Sequence, residues 1–168
     1  SLGATHIWYT GVIEHATQTD YSEYGIRPNN PYIVKGKAGS PYAISDYYDI
    51  APDLAEEIPN RMQEYENLIE RTHQAGLQVI MDFVPNHVAR EYHSDAMPVG
   101  VEQLGAQDNS EKQFDAQNNF YYIPRQRFSP RFFVGQNTAN EYNEFPARAT
   151  GNDRFDAFPE HHDWYETV

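Results

Sequence analysis

There is no cysteine among the 168 residues, which excludes disulfide scaffolds, thiolate metal sites and cysteine nucleophiles. It leaves the compartment open; secreted enzymes often lack cysteine, and an extracellular or periplasmic setting is the favoured one. Basic residues are scarce, 12 Lys and Arg against 25 Asp and Glu, for a formal net charge of −13. A nucleic-acid partner needs Lys and Arg to displace counterions from phosphates, and an anionic membrane surface attracts basic segments. Both are therefore disfavoured, while calcium and neutral substrates remain compatible. No run approaches the ~18 consecutive apolar residues of a membrane span. The chain opens so abruptly on "SLGATHIWYT" that its natural N-terminus is expected upstream, and no secretory signal is visible.

Aliphatic residues are also in short supply. Hydrophobic content is 39%, against about 45–50% for an average globular domain. Aromatics nevertheless reach 14%, with 13 Tyr and 9 Phe, unlike a disordered chain. That mixture suits a folded protein with long polar loops and a stacking surface. The length suits one domain with a proper core.

What is present begins with Thr5 to Tyr9, β-branched and aromatic, which reads as a short strand ended by Thr10-Gly11. Residues 12–49, rich in Gly, Pro, Asn and Tyr, read as a loop. A helix is predicted next, opened by Pro59 and Asn60, with Asn60 and Gln63 as a capping pair. Met62, Tyr65, Leu68, Ile69 and Thr72 share one face at helical spacing, and Gly76 is placed to end the helix in the left-handed conformation. Leu77 to Val84 follows, apolar except for Gln78 and Asp82, and reads as a strand buried on both faces in a parallel sheet. From Arg90 onward the apolar residues scatter. Short strand candidates there are Asn119 to Ile123 and Arg131 to Gly135.

Parallel α/β proteins collect functional side chains at the carboxyl ends of strands. Asp82, Asn86 and His87 stand at such an end. A buried carboxylate is costly unless paired, so Asp82 is expected to meet an arginine or backbone amides. Read alone, Asp82 also suits a loop cap, and Asn86 and His87 suit a turn.

The segment "DFVPNH" resembles the first conserved region of the α-amylase family of glycoside hydrolases, Asp-x-x-x-Asn-His, at the end of the third barrel strand. Three upstream segments are similar to that family in the same order: "LGATHIWYTGVIEHA" to its second strand, "GSPYAISDYYDIAPDL" to a stretch with a Tyr before Asp-Tyr-Tyr, and "NLIERTHQAGLQVIMD" to the helix leading into the third strand. The resemblance covers Leu2 to about Glu91. It implies an α/β fold in which residues 1–89 are a partial (β/α)8 TIM barrel, around strands 2 and 3, and residues 90–168 are an irregular, partly β inserted domain after strand 3. The closing "PEHHDWYETV" is similar to an insertion segment of some bacterial members.

The same resemblance implies roles. Tyr42 would stack beneath the sugar at the cleavage subsite, and His87 would hydrogen-bond that sugar's hydroxymethyl group. Asp82 would orient groups of the catalytic site. Asn86 would offer its amide oxygen to the calcium ion found in many members. The substrate would be an α-glucan or oligosaccharide.

Retaining glycosidases need two carboxyl groups about 5–5.5 Å apart, and in this family they follow the fourth and fifth strands. Neither strand is visible in this sequence, so the chain alone is expected to be inactive. Its open strand edges would be covered by the remainder of the barrel or by self-association. Asp153 to His162, "DRFDAFPEHH", imitates the family's nucleophile region. Its His161 lies one position too far from Asp156, and "ARATGND" before it does not suit a buried strand. His161, His162 and Asp163 read as a solvated turn rather than a metal site. The alternatives are a non-catalytic α-glucan-binding relative, a transglycosylase or isomerase of the same family, and an unrelated α/β calcium-binding module.

Overall fold

The structure is a computed structural model that describes residues 3–128 and 142–149, with the backbone of Glu166 and Thr167. The strand expected at Arg131 to Gly135 and the segment from Asp153 to Asp163 lie outside the described residues.

Strand β1 (His6–Tyr9) pairs in parallel with β4 (Gln78–Met81), His6 opposite Gln78 and Tyr9 opposite Met81. Helix α1 (Arg61–Gln74) connects them, so strand, helix and parallel strand form the βαβ unit that the sequence predicts. Gly76 has φ 77, the left-handed cap expected there. The helix buries Tyr65 and Thr72. Thr72 donates its hydroxyl to Leu68 O at 2.8 Å, which leaves its oxygen to accept from the Tyr9 hydroxyl at 2.9 Å. That bond ties the helix to β1.

Three expectations are corrected. Asn60 makes no side-chain cap. Instead Glu64, inside the first turn, accepts the backbone N–H groups of Glu56 and Glu57 at 2.8 Å each, and a 3-10 turn over Ile58–Asn60 leads straight into the helix. Strand β4 stops at Met81 rather than Val84 and is not buried on both faces. Ile80 is 47% and Trp8 63% exposed, because α1 covers one side and, among the described residues, β4 pairs with β1 alone. Finally, residues 12–49 are not a loop throughout. Strands β2 (Ile13–His15) and β3 (Ile44–Ile50) pair antiparallel with irregular register.

The β2–β3 pair supplies the core. Val12, Ile13, Ile44, Ile50 and Tyr65 cluster, with Tyr9, Tyr47, Leu68, Ile69 and Tyr92 packed around them. Beyond β4, β5 (Val88–Ala89) pairs with β8 (Glu166–Thr167), and β6 (Tyr122–Ile123) pairs with β7 (Ala147–Arg148). Of the strand expected at Asn119 to Ile123, only β6 forms.

One fully buried residue holds the later segment in place. Arg90, directly after β5, is 0% exposed. Its Nη1 donates to Glu144 Oε1 at 3.0 Å, and its guanidinium lies 3.9 Å from the centre of the Phe128 ring. Glu144 also accepts the Tyr142 hydroxyl at 2.6 Å and the Arg148 N–H. No helix among the described residues is long and apolar enough to cross a membrane.

Candidate functional site

Strand β4 delivers its end beside β1: the Asp82 N–H donates to Tyr9 O at 2.9 Å and continues the parallel ladder. The Asp82 side chain is half-buried. Neither an arginine nor a backbone amide meets its carboxylate among the described residues, so the expected partner is absent.

The loop that follows is held from β3. Tyr47 donates its hydroxyl to Val84 O at 2.6 Å and lies 3.3 Å from His87 O. Its ring packs against Phe83 and Tyr92, with centroids 5.4 and 5.6 Å away. Asn86 is exposed and His87 half-buried, with Asn86 Nδ2 3.2 Å from His87 Nδ1. An amide nitrogen only donates, so Nδ1 accepts and the imidazole hydrogen sits on Nε2. Nε2 itself is closed to solvent, although the residue as a whole is half-buried.

Tyr42 stands on a separate turn leading into β3, 46% exposed, with its N–H held by Ser40 Oγ at 3.3 Å. The turn presses against the chain before it. Gly39 has φ +76, and a Cβ there would lie 1.7 Å from Ala16 O, so only glycine fits. No hydrogen bond or ring contact among the described residues joins Tyr42 to Asp82, Asn86 or His87. The structure thus brings Asp82, Asn86 and His87 together on one loop and leaves Tyr42 as an exposed ring on another. Two clefts, of about 540 Å³ beside α1 and about 350 Å³ around Glu91 and Phe145, are lined by none of these four.

The most concentrated charge lies elsewhere. Glu14 on β2 and Asp46 and Asp49 on β3 are buried, with one carboxylate oxygen of each within 4.8 Å of the others. Asp46 Oδ1 accepts the Tyr48 N–H at 2.8 Å, and Oδ2 accepts those of Asp95 and Ala96 at 2.9 and 3.1 Å. Asp49 accepts Ile50 N–H and both Nε and Nη2 of Arg61. Glu14 accepts the Ser45 hydroxyl at 3.1 Å. Burial, reinforced by the charges of Asp49 and Asp46, pushes the Glu14 carboxyl up to about 8. These three acids could hold a metal ion. Sequence reading missed them, since "ISDYYDI" carries its acids on a strand whose partner, β2, is three residues long.

The family model of the alpha-amylase catalytic domain matches residues 1–147. The chain belongs to the alpha-amylase family. Over 92 residues it is 33% identical to alpha-amylase MalA of Haloarcula japonica, covering 55% of this chain and 10% of that protein. Over 51 residues it is 37% identical to an alpha-glucosidase of Apis mellifera, covering 30% of this chain and 8% of the relative. It is equally 37% identical over 51 residues to the amino acid transporter heavy chain SLC3A1 of Rattus norvegicus, covering 30% of this chain and 7% of that protein. The chain therefore spans about a tenth or less of the length of these relatives. No solved structure matches it. Membership implies a piece of a (β/α)8 barrel. The described residues supply one parallel strand pair with its helix, and no closed barrel.

Proposed function

We propose that the chain is part of a retaining glycoside hydrolase acting on α-glucosidic bonds of starch-like or malto-oligosaccharide substrates. The family match over residues 1–147 carries the reading, and the relatives named alpha-amylase and alpha-glucosidase favour hydrolysis over transfer. Residues 1–89 are the barrel portion around strands 2 and 3, supported by the parallel β1–β4 pair and α1. Residues 90–168 are the insertion after strand 3. The catalytic carboxylates belong to other parts of the parent protein, and this chain supplies substrate contacts. The remainder of the barrel, or a second copy, would cover Trp8 and Ile80.

In this reading the exposed ring of Tyr42 is the stacking platform, since a flat aromatic face matches sugar C–H bonds. His87 hydrogen-bonds a sugar hydroxyl, as the family resemblance implies, and Asp82 orients neighbouring groups from the strand end. The family's calcium ion would find at Asn86 one exposed amide oxygen. Calcium takes six to eight oxygen ligands, and among the described residues no acidic cluster surrounds Asn86. These residues do not by themselves fit the ion.

The test uses the intact protein that carries this chain, incubated with maltoheptaose, pullulan, sucrose and trehalose, with products resolved by chromatography. Shorter α-linked products are expected, and His87→Ala is expected to cut kcat/KM at least about tenfold with little change in folding. Unchanged turnover in that variant would remove His87 from the site. A second reading is a non-catalytic α-glucan-binding relative, since one relative is named a transporter heavy chain and not a hydrolase. Saturable maltoheptaose binding without any product would establish a glycan binder.

A further inference from the structure

We propose that Glu14, Asp46 and Asp49 form a buried calcium site that clamps the β2–β3 pair, separate from Asn86 and independent of the hydrolase reading. The three residues are 5%, 0% and 4% exposed, and their carboxylate oxygens converge within 4.8 Å. The cation beside them is Arg61, whose Nε and Nη2 are both spent on Asp49. With Glu14 ionised, three carboxylates face one guanidinium among the described residues and leave two negative charges in a place closed to water, where each uncompensated ion costs several kcal/mol. A divalent cation cancels that remainder.

Hydrogen bonding points the same way. Asp46 and Asp49 are engaged by fixed N–H donors, as structural carboxylates are. Glu14 is not: its Oε1 takes the Ser45 hydroxyl, while Oε2 is shut off from solvent with no hydrogen-bond partner among the described residues. A buried carboxylate oxygen without a donor is the feature that a purely structural cluster leaves unexplained. Spare acceptor capacity remains on all three residues. Among the described residues, Asp46 Oδ1 accepts only the Tyr48 N–H, Asp49 Oδ2 only Arg61, and Glu14 Oε2 nothing.

The donor set names the ion. Carboxylate oxygens without nitrogen or sulfur select hard cations. The three oxygens lie within 4.8 Å of one another on strands of irregular register, and calcium accepts such an irregular set where magnesium demands a near-ideal octahedron. Asp49 links the site to α1 through Arg61, and Asp46 links it to the N–H groups of Asp95 and Ala96. One ion thus joins the hairpin, the helix and the segment after β5.

The experiment strips the protein with EGTA, measures its calcium content before and after, and titrates calcium chloride by calorimetry. Wild type, Glu14→Gln, Glu14→Asp and Asn86→Ala are compared, each checked for folding by circular dichroism. Wild type and Asn86→Ala are expected to bind one calcium per chain. Glu14→Gln is expected to weaken binding at least about tenfold, since ligand charge sets calcium affinity. Glu14→Asp keeps the charge, withdraws the oxygen and falls between; it decides the matter where Glu14→Gln does not fold. No calcium in the wild type, equal affinity in the Glu14 variants, or loss in Asn86→Ala alone would overturn the proposal. The first of those results would mean that Glu14 is neutralised by a proton instead.

Discussion

Replacing Glu144 by alanine should destabilise the protein more than any exposed substitution in the same segment. Arg90 is fully buried, and Glu144 is its carboxylate partner at 3.0 Å. Removing one member of a buried ion pair costs about 3–5 kcal/mol, because the other charge stays in low dielectric. The Tyr142 hydroxyl, 2.6 Å from Glu144 Oε2, loses its acceptor as well, worth about another 1 kcal/mol. A loss of about 4 kcal/mol or more is a large share of a typical stability of ~5–15 kcal/mol. The face of Phe128, 3.9 Å from the guanidinium, offsets part of the lost charge pairing but does not replace a carboxylate.

The assay is urea unfolding followed by intrinsic fluorescence, run on Glu144→Ala, Arg90→Met and the double variant Arg90→Met/Glu144→Leu. The double variant replaces both charges with apolar groups, which is often neutral for a buried pair. It should therefore be more stable than Glu144→Ala alone. A cost below about 1 kcal/mol for Glu144→Ala, or a double variant as costly as the sum of the singles, would refute the reasoning. Either result would mean that Arg90 reaches water or another anion.

Gly39→Ala should cost at least about 2 kcal/mol and displace the Tyr42 turn, since backbone strain and a backbone clash combine; thermal unfolding measures it, and an unchanged Tm would contradict the contact with Ala16. The Glu14 carboxyl, raised by burial and by Asp49 and Asp46 to about 8, makes stability in EGTA depend on pH. The folded chain holds that proton more tightly than the unfolded one, so the contribution is complete below about 4.5 and is lost as pH rises through about 8. Unfolding measured from pH 5 to 9 should show the decline in wild type, a flatter curve in Glu14→Gln, and a flatter curve again when calcium is added to wild type. A wild-type curve without slope would place Glu14 in contact with water.

The elements legible in the sequence were those whose signal is local. Thr5 to Tyr9, the helical face at Tyr65 and Thr72, and Gly76 each announce themselves within a few residues, and a βαβ unit follows from their order. The β2–β3 pair was not legible, because strand β3 buries Asp46 and Asp49 instead of alternating apolar with polar. Its stability depends on donors 49 and 50 residues away, the N–H groups of Asp95 and Ala96, which no local window contains. Arg90 was hidden for the same reason: an arginine in a polar stretch reads as exposed until Glu144 and Phe128 are placed around it.

The rim residues show the opposite limit. Asp82, Asn86 and His87 were found through their spacing and resemblance, and the structure places them on one loop. Yet the partner that the burial argument expects for Asp82 does not appear among the described residues, where the side chain is half-buried. The acids that do satisfy that argument are Glu14, Asp46 and Asp49, which carry no motif. Burial identifies groups whose charge must be balanced, whereas spacing along a strand end identifies groups available to a ligand. In this chain the two criteria select different carboxylates, and the unpartnered oxygen of Glu14 lies in the set that spacing alone passes over. That oxygen is where the demand for a partner concentrates, since the oxygens of Asp46 and Asp49 already accept fixed N–H donors.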